Sequence, residues 1–366
     1  MLEARSAVRN LHAYRPPLAG RTGLRLDFNE SSIGCSPRVL AKLHALDADS
    51  LARYPEREPV EAEVARFLEL DPAQVLLTNG VDEAIHLLCS TYLDPGDEAL
   101  VVVPTFAMYS VFAQAEGARV IEIPAGENFV FPEKDLLAKI SSRTRLIAVA
   151  NPNNPTGTAV AGDVLIKIAQ AAPHAAVLVD EAYFEFHGET LMRRAGQMEN
   201  LFVARTFSKA YGLAGLRIGI LAGDARQIAM VRRVASPYSV NTAALAVLPE
   251  ALQDQEYVCA YVAQVQNNRE RLQRELAALG LRYWPSRANF VLVRIGPAHA
   301  EFVQAFRDRG ILVRDRSSDP GCGGCVRLTV GSDEHTETLI STLREIVEKM
   351  GLRSDSPADQ PSEVQA

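Results

Sequence analysis

An α/β fold, with helices on both faces of a mainly parallel mixed sheet and a smaller α+β domain at the C-terminal end, is what the sequence predicts. Three observations carry it. Short apolar runs alternate with helically spaced segments from about Val60 to Gly223. A long amphipathic segment then starts near Asp254 and runs towards Gly280. After it the alternation resumes on a smaller scale. With 366 residues the chain is long enough for two or three domains. The boundaries that follow are an N-terminal arm and part of the small domain over 1–45, a large domain over 46–250 and a small C-terminal domain over 251–350. A tail over 351–366 completes the chain; its "RSDSPADQPSEVQA" is polar and carries two prolines, a composition that predicts disorder.

Taken in order, "VEAEVARFLEL" and "DEAIHLLCSTYL" place apolar residues at helical spacing. "EALVVVPT" is a short continuous apolar run, as expected of a strand buried on both faces. "RVIEIP", "RLIAVANP", "AAVLVDEAYF", "LFVARTFS" and "LRIGILAG" read the same way, several of them separated by helical patterns such as "AGDVLIKIAQAAP". The long helix contains "VAQVQNNRERLQRELAAL". "NFVLVRI", "HAEFVQAFRDRG", "ILVRD", "CVRLTVG" and "TETLISTLREIVEKMG" then form a βαβ-like pattern. The first fifty residues show no domain pattern of their own.

Composition narrows the function. A net charge of −7 argues against nucleic acid or an anionic membrane as a partner. No apolar run approaches the roughly 18 residues of a membrane span, and "MLEARSAVRNLHAYRPP" lacks the apolar segment of a signal peptide. Five scattered cysteines imply a reducing cytoplasm and no disulfide framework. Cys322 and Cys325 of "CGGC" have no second CxxC or HxxxH at zinc spacing, so they read as two thiols in a Gly-rich turn. The seven histidines show no ligand spacing, and no metal is expected.

In doubly wound sheets, ligands gather at the carboxyl ends of the strands. "TNGVDEAIHLL" puts Gly80 before a helix whose first turn carries Val81, Asp82 and Glu83. Alone this is a capped helix, but it is also a phosphate cradle of free N–H groups. "ANPNNPTG" ends a strand with Asn151, Asn153 and Asn154, either a turn or a set of amides for a ligand oxygen. "VLVDEAYFEF" ends with Asp180, Glu181 and Tyr183, and "RTFSKAYGLAGLRIG" brings Ser208, Lys209 and Arg217. One chemistry unites the set. A lysine that forms a Schiff base with pyridoxal phosphate needs a carboxylate for the pyridine nitrogen, donors for the phenolate oxygen and an anion site for the phosphate. Asp180, Asn154 with Tyr183, and Gly80 to Glu83 with Ser208 and Arg217 match those needs in turn.

From roughly Val8 to Lys349 the chain resembles the pyridoxal-phosphate aminotransferases of fold type I, and within them the histidinol-phosphate aminotransferases. "RYPE", "TNGVDEAI", "PTFAMYSV", "NPNNPTG", "DEAYFEF", "RTFSKAYGLAGLRIG", "ANFVLVR", "GILVRDRS" and "CVRLTVGS" carry the likeness. It implies that Lys209 holds pyridoxal 5'-phosphate and moves protons. Asp180 would pair with the pyridine nitrogen, and Asn154 and Tyr183 would bond the phenolate oxygen. Val81 and Asp82 by their backbone, with Thr206, Ser208 and Arg217, would bind the cofactor phosphate. Phe106 would stack on the ring, at a position where the family often has tyrosine. Tyr54 would reach a partner's cofactor phosphate, implying a homodimer with shared active sites. Arg327 would grip the substrate carboxylate. Tyr14 and Arg314, with Arg15 or Arg21, would meet the substrate phosphate, and Asn154 would also touch substrate. The implied reaction is ping-pong amino transfer between L-histidinol phosphate and 2-oxoglutarate, yielding imidazole acetol phosphate and glutamate. An aromatic or other amino-acid aminotransferase, or a phospho-amino-acid decarboxylase, on the same scaffold is the alternative. A non-catalytic effector domain of a transcription regulator is disfavoured, because no helix-turn-helix pattern precedes the first sheet-associated helix.

Overall fold

Seven strands form the central sheet of the structure, a computed structural model that describes residues 2–11, 13 and 17–352. Their spatial order is Val75–Thr78, Gly219–Ala222, Leu201–Thr206, Ala176–Asp180, Thr144–Ala150, Glu98–Val103 and Arg119–Pro124. All neighbours are parallel except Gly219–Ala222, which runs antiparallel to the strands on both sides. The chain between Thr206 and Gly219 contains no crossover helix, only one short 3₁₀ turn, so the return strand comes back antiparallel. The sheet is mixed for that reason.

Alternate residues of the inner strands feed two cores. Val177 and Val179 join the larger cluster, while Ala176 and Leu178 join the one on the other face. The larger cluster continues into the C-terminal part through Val291, Leu328 and Leu343. One apolar core therefore runs from the sheet face into the smaller sheet, and the groove between the two meets the carboxyl ends of the large sheet's parallel strands.

The smaller sheet has four strands in the order Arg314–Asp315, Cys325–Thr329, Phe290–Arg294 and Tyr283–Trp284. Phe290–Arg294 and Arg314–Asp315 both run antiparallel to Cys325–Thr329, so they are parallel to each other with that strand between them. The βαβ-like pattern of the sequence is thus a split unit, with helix His299–Arg307 in the crossover. From the arm, Leu24–Arg25 pairs in parallel with Ile311–Leu312. The long helix spans Gln255–Ala278 and packs on Asp333–Met350.

Several elements were not legible in the sequence, helices Met108–Ala115, Glu133–Lys139 and Ala225–Val231 among them. Strand Val75–Thr78 has only four residues. Helix Pro37–His44 lies in the arm. Helix Thr242–Gln253 contains Pro249, which argues against a helix interior. It is held because its buried Leu245, Leu248 and Leu252 pack towards Pro37–His44 and Glu58–Leu68. Among the described residues no helix is long and apolar enough to cross a membrane.

Candidate active site

A cavity of roughly 870 Å³ opens where the parallel strands end. It brings together Lys209, Asp180, Tyr183, Asn154, Phe106 and Arg327, and with them Val81, Asp82, Thr206, Ser208, Arg217 and Arg314. Residues from five strand ends thus converge on one space, as the topology of such sheets favours.

Lys209 is delivered by the turn after strand Leu201–Thr206. Phe207 and Tyr211 are buried beside it with their rings edge to face, and they fix the turn from below. Gly212, at φ +69°, lies so close to Gly34 that a Cβ would stand 2.2 Å from its carbonyl oxygen. The lysine Nζ donates to the Phe28 carbonyl at 3.0 Å. Burial, and then the Arg327 guanidinium, lower its pKa from 10.5 to about 8. A lysine so placed is a usable nucleophile and base near neutral pH.

Asp180 ends its strand fully enclosed. Its Oδ1 accepts the Ala182 N–H at 3.0 Å, and its Oδ2 accepts the Tyr109 hydroxyl at 2.6 Å. Burial raises its pKa to about 6, against the opposing pull of those two bonds. Tyr183 turns its hydroxyl to the Asn29 side-chain amide, which donates at 2.9 Å. Burial pushes the Tyr183 phenol up, and Arg327 opposes that shift.

Of the three asparagines in "NPNNPTG", only Asn154 lines the cavity. Asn151 exchanges two bonds with the Val160 backbone. Asn153 bonds the Pro104 carbonyl, Thr105 and Thr156. Two of the amides therefore build the loop that presents the third. Asn154 Oδ1 accepts from Arg327 Nη1 at 2.5 Å, and Arg327 Nη2 donates to the Asp27 carbonyl at 2.6 Å.

Helix Gly80–Tyr92 begins at Gly80, whose φ is +76° and whose Cβ would lie 2.6 Å from Arg217 Nη2. Gly219 is equally constrained: a Cβ there would meet the Arg205 carbonyl at 2.8 Å and Val81 N at 3.1 Å. The two glycines let the return strand press against the helix start. The Asn79 side chain does not cap that helix. Arg217 crosses its mouth to Asp82 at 3.1 Å, and Thr206 donates to Ser208 Oγ at 2.9 Å. The result is a concave cluster of backbone N–H groups, hydroxyls and one guanidinium, suited to an anion.

Two further guanidiniums, from Arg21 and Arg314, lie over the Phe28 ring at 4.4 Å and 5.0 Å. Arg21 is committed to Asp27 at 2.7 Å and Glu30 at 2.5 Å. Among the described residues Arg314 makes no direct ion pair, though the Asp319 carboxylate, paired with Arg316, also feels its charge. Tyr54 does not reach the cavity of its own chain; it is 78 % exposed and stacked on Tyr238 at 4.3 Å. Tyr14 and Arg15 lie outside the described residues.

The sequence reading missed Tyr109, Asn29, Phe28 and the Arg316–Asp319 ion pair on the cavity wall. Tyr109 follows Phe106 at helical spacing, and that i, i+3 step was its only signal. Asn29 has positive φ and is buried in an arm with no visible pattern. Cys322 and Cys325 are buried against Trp284 and take no part in the cavity. Among the described residues no group of His, Cys, Asp or Glu is placed to hold a metal ion.

Comparison with known proteins fits this geometry. The family model for aminotransferase class I and II matches residues 21–343. The histidinol-phosphate aminotransferase of Roseiflexus castenholzii is 37% identical over 346 residues, covering 90% of this chain and 92% of the relative. That of Dinoroseobacter shibae is 37% identical over 332 residues, with 88% and 90% covered. The crystal structure of histidinol-phosphate aminotransferase from Sinorhizobium meliloti in complex with pyridoxal 5'-phosphate superposes with a TM-score of 0.87 at 25% identity, covering 96% and 99%. An aspartate aminotransferase from Thermus thermophilus shares the fold at a TM-score of 0.79 and 24% identity, with 94% and 100% covered.

Proposed function

The chain belongs to the class I and II aminotransferases, with their fold type I architecture, and on that premise we propose that it is the pyridoxal-phosphate-dependent aminotransferase of L-histidinol phosphate. It exchanges an amino group between that substrate and 2-oxoglutarate in histidine biosynthesis. The observation that carries this reading is a half-buried lysine of lowered pKa sharing one cavity with an enclosed aspartate and an arginine-lined helix start.

The donor set fits pyridoxal 5'-phosphate. The close approach permitted by Gly80 and Gly219 sets the start of helix Gly80–Tyr92 against Arg217 and the return strand, and Val81, Asp82, Thr206, Ser208 and Arg217 line one cavity. When bound, the cofactor supplies an aldehyde carbon for the Lys209 nitrogen and a protonated pyridine ring that draws electrons from the substrate's α-carbon. Asp180 holds the proton on the pyridine nitrogen. Tyr183 and Asn154 bond the phenolate oxygen, and Phe106 packs on the ring. With its amine free, Lys209 would take the proton from the substrate's α-carbon and return it on the cofactor side.

Arg327 binds the carboxylate of glutamate. Arg314, with Tyr14, takes the phosphate of histidinol phosphate; the commitment of Arg21 to Asp27 and Glu30 favours Arg314 over it. Tyr54, exposed on its own chain, completes the cofactor phosphate site of a second copy in a homodimer, and the enzyme works in the cytoplasm. The test mixes cofactor-loaded protein with histidinol phosphate, phenylalanine, tyrosine or threonine phosphate and follows loss of the visible cofactor band. Fastest conversion with histidinol phosphate is expected. No conversion with it, alongside conversion by an aromatic amino acid, moves the assignment to an aromatic aminotransferase.

A further inference from the structure

Tyr109 has no role in the reading above, yet it lines the cavity wall. It is fully buried in helix Met108–Ala115, and its hydroxyl makes a 2.6 Å bond to Asp180 Oδ2. Its ring meets Phe106 edge to face, with centroids 5.9 Å apart and planes at 87°. One side chain therefore touches both Asp180 and Phe106, the groups that would meet the cofactor's ring nitrogen and ring face. With Oδ1 held by the Ala182 N–H, the Tyr109 bond fixes the second oxygen and so the plane of the carboxylate.

We propose that Tyr109 is a positioning residue that holds Asp180 as an oriented carboxylate and thereby sets how firmly the proton stays on the cofactor's ring nitrogen. The proposal rests on the cofactor reading given above. A phenol in an enclosed site is a poor acid, so it donates its hydrogen bond without surrendering the proton; burial, and then Asp180, push the Tyr109 phenol well above its usual value. Without that donor the carboxylate becomes a stronger base and competes for the pyridine proton. Other charges face the same space: Asp82 from the neighbouring helix, Glu181 next in the chain, and the Tyr183 phenol. Lys209 is faced in turn by Arg327, Arg217, Glu30 and Asp82. None of these replaces a hydroxyl bonded to Asp180, so the effect of Tyr109 is separable from theirs.

The test is Tyr109→Phe, which removes one oxygen and keeps the ring against Phe106. A positive ring nitrogen repels the proton on the Lys209 nitrogen; a ring that loses its charge to Asp180 lets that proton stay longer. The pH midpoint of the visible band of the cofactor-bound protein should therefore move up by roughly 0.5–1 pH, the equivalent of one lost hydrogen bond of about 1 kcal/mol. Turnover should fall about tenfold, with KM for histidinol phosphate little changed. In an Asp180→Asn background the same change should do nothing further, because Tyr109 acts through that carboxylate. As a second variant, 3-fluorotyrosine at position 109 is a stronger donor in nearly the same volume and should move the midpoint down.

An unmoved midpoint in both variants, or an equal shift with Asp180→Asn, overturns the proposal. If Tyr109→Phe fails to fold, the fluorotyrosine protein decides alone, by a downward shift or none. These results presuppose a visible band lost in Lys209→Ala. Absence of that dependence removes the cofactor reading itself, whereas its presence with no Tyr109 effect removes only this inference.

Discussion

Burial moves the pKa values of Lys209 and Asp180 towards neutrality from opposite sides. For the lysine the sign is direct. Only the unprotonated amine attacks the cofactor aldehyde, and burial makes it lose its proton at about pH 8. Attachment of pyridoxal phosphate to the cofactor-free protein, followed by absorbance, should speed up as pH rises and level off just above 8. A rate still climbing steeply at pH 10 would mean the amine is solvated. Lys209→Ala should show no such band at any pH. Asp180→Asn should keep cofactor affinity within a few-fold while turnover falls by roughly 30- to 150-fold, as expected for a lost charged hydrogen bond of about 2–3 kcal/mol. At this scale the sequence displayed the reactive groups, because each lies at a strand end in a recognisable run. It hid their positioning partners. Asn29 and Tyr109 look like any arm amide or core aromatic until the fold sets them beside Tyr183 and Asp180.

Between elements, strand Gly219–Ala222 presses closely on the start of helix Gly80–Tyr92. All three nearest atoms to a Cβ at Gly219 belong to backbone, so none can swing away. Gly219→Ala should cost about 1–3 kcal/mol in stability and weaken cofactor binding, measurable by thermal unfolding with and without pyridoxal phosphate. A second joint is Glu61 in helix Glu58–Leu68. Its buried carboxylate accepts the Leu77 N–H at 2.9 Å and Arg232 at 2.8 Å, and also pairs with Arg57. Glu61→Ala strands the Leu77 N–H and Arg57 and leaves Arg232 only the Val75 carbonyl, and about 3–5 kcal/mol should be lost in denaturant unfolding. Uniformly buried strands such as Ala176–Asp180 and Leu201–Thr206 were readable as continuous apolar runs. The four-residue strand Val75–Thr78 was missed, and so was the helix around Pro249, where packing outweighs a missing donor.

For the whole molecule, the cavity depends on two sheets and an arm far apart in sequence. Arg327, on the smaller sheet, bonds Asn154 from the large one and Asp27 from the arm. Tyr54 and Tyr238 leave an exposed aromatic stack, and Leu51 and Val234, each three or four residues away along the chain, are exposed too; such apolar surface suits a second copy of the chain. Tyr54→Ala should raise the dissociation constant of pyridoxal phosphate and weaken self-association in sedimentation experiments, while an equivalent change at an exposed site such as Val130 should alter neither. Unchanged cofactor affinity in the Tyr54 variant would count against a shared site.

By itself the sequence determined the alternation that makes a doubly wound sheet, and the order in which cradle, amide, carboxylate and lysine arrive along it. Those follow from local rules: side-chain period, turn chemistry and the tendency of strand ends to carry function. The tertiary structure alone decided which asparagine faces the cavity, which arginine is already spent on carboxylates, and that a tyrosine hydroxyl holds Asp180 in place. These are contacts between elements dozens to hundreds of residues apart. No period or local spacing records them, because they exist only once the apolar core has closed around both sheets.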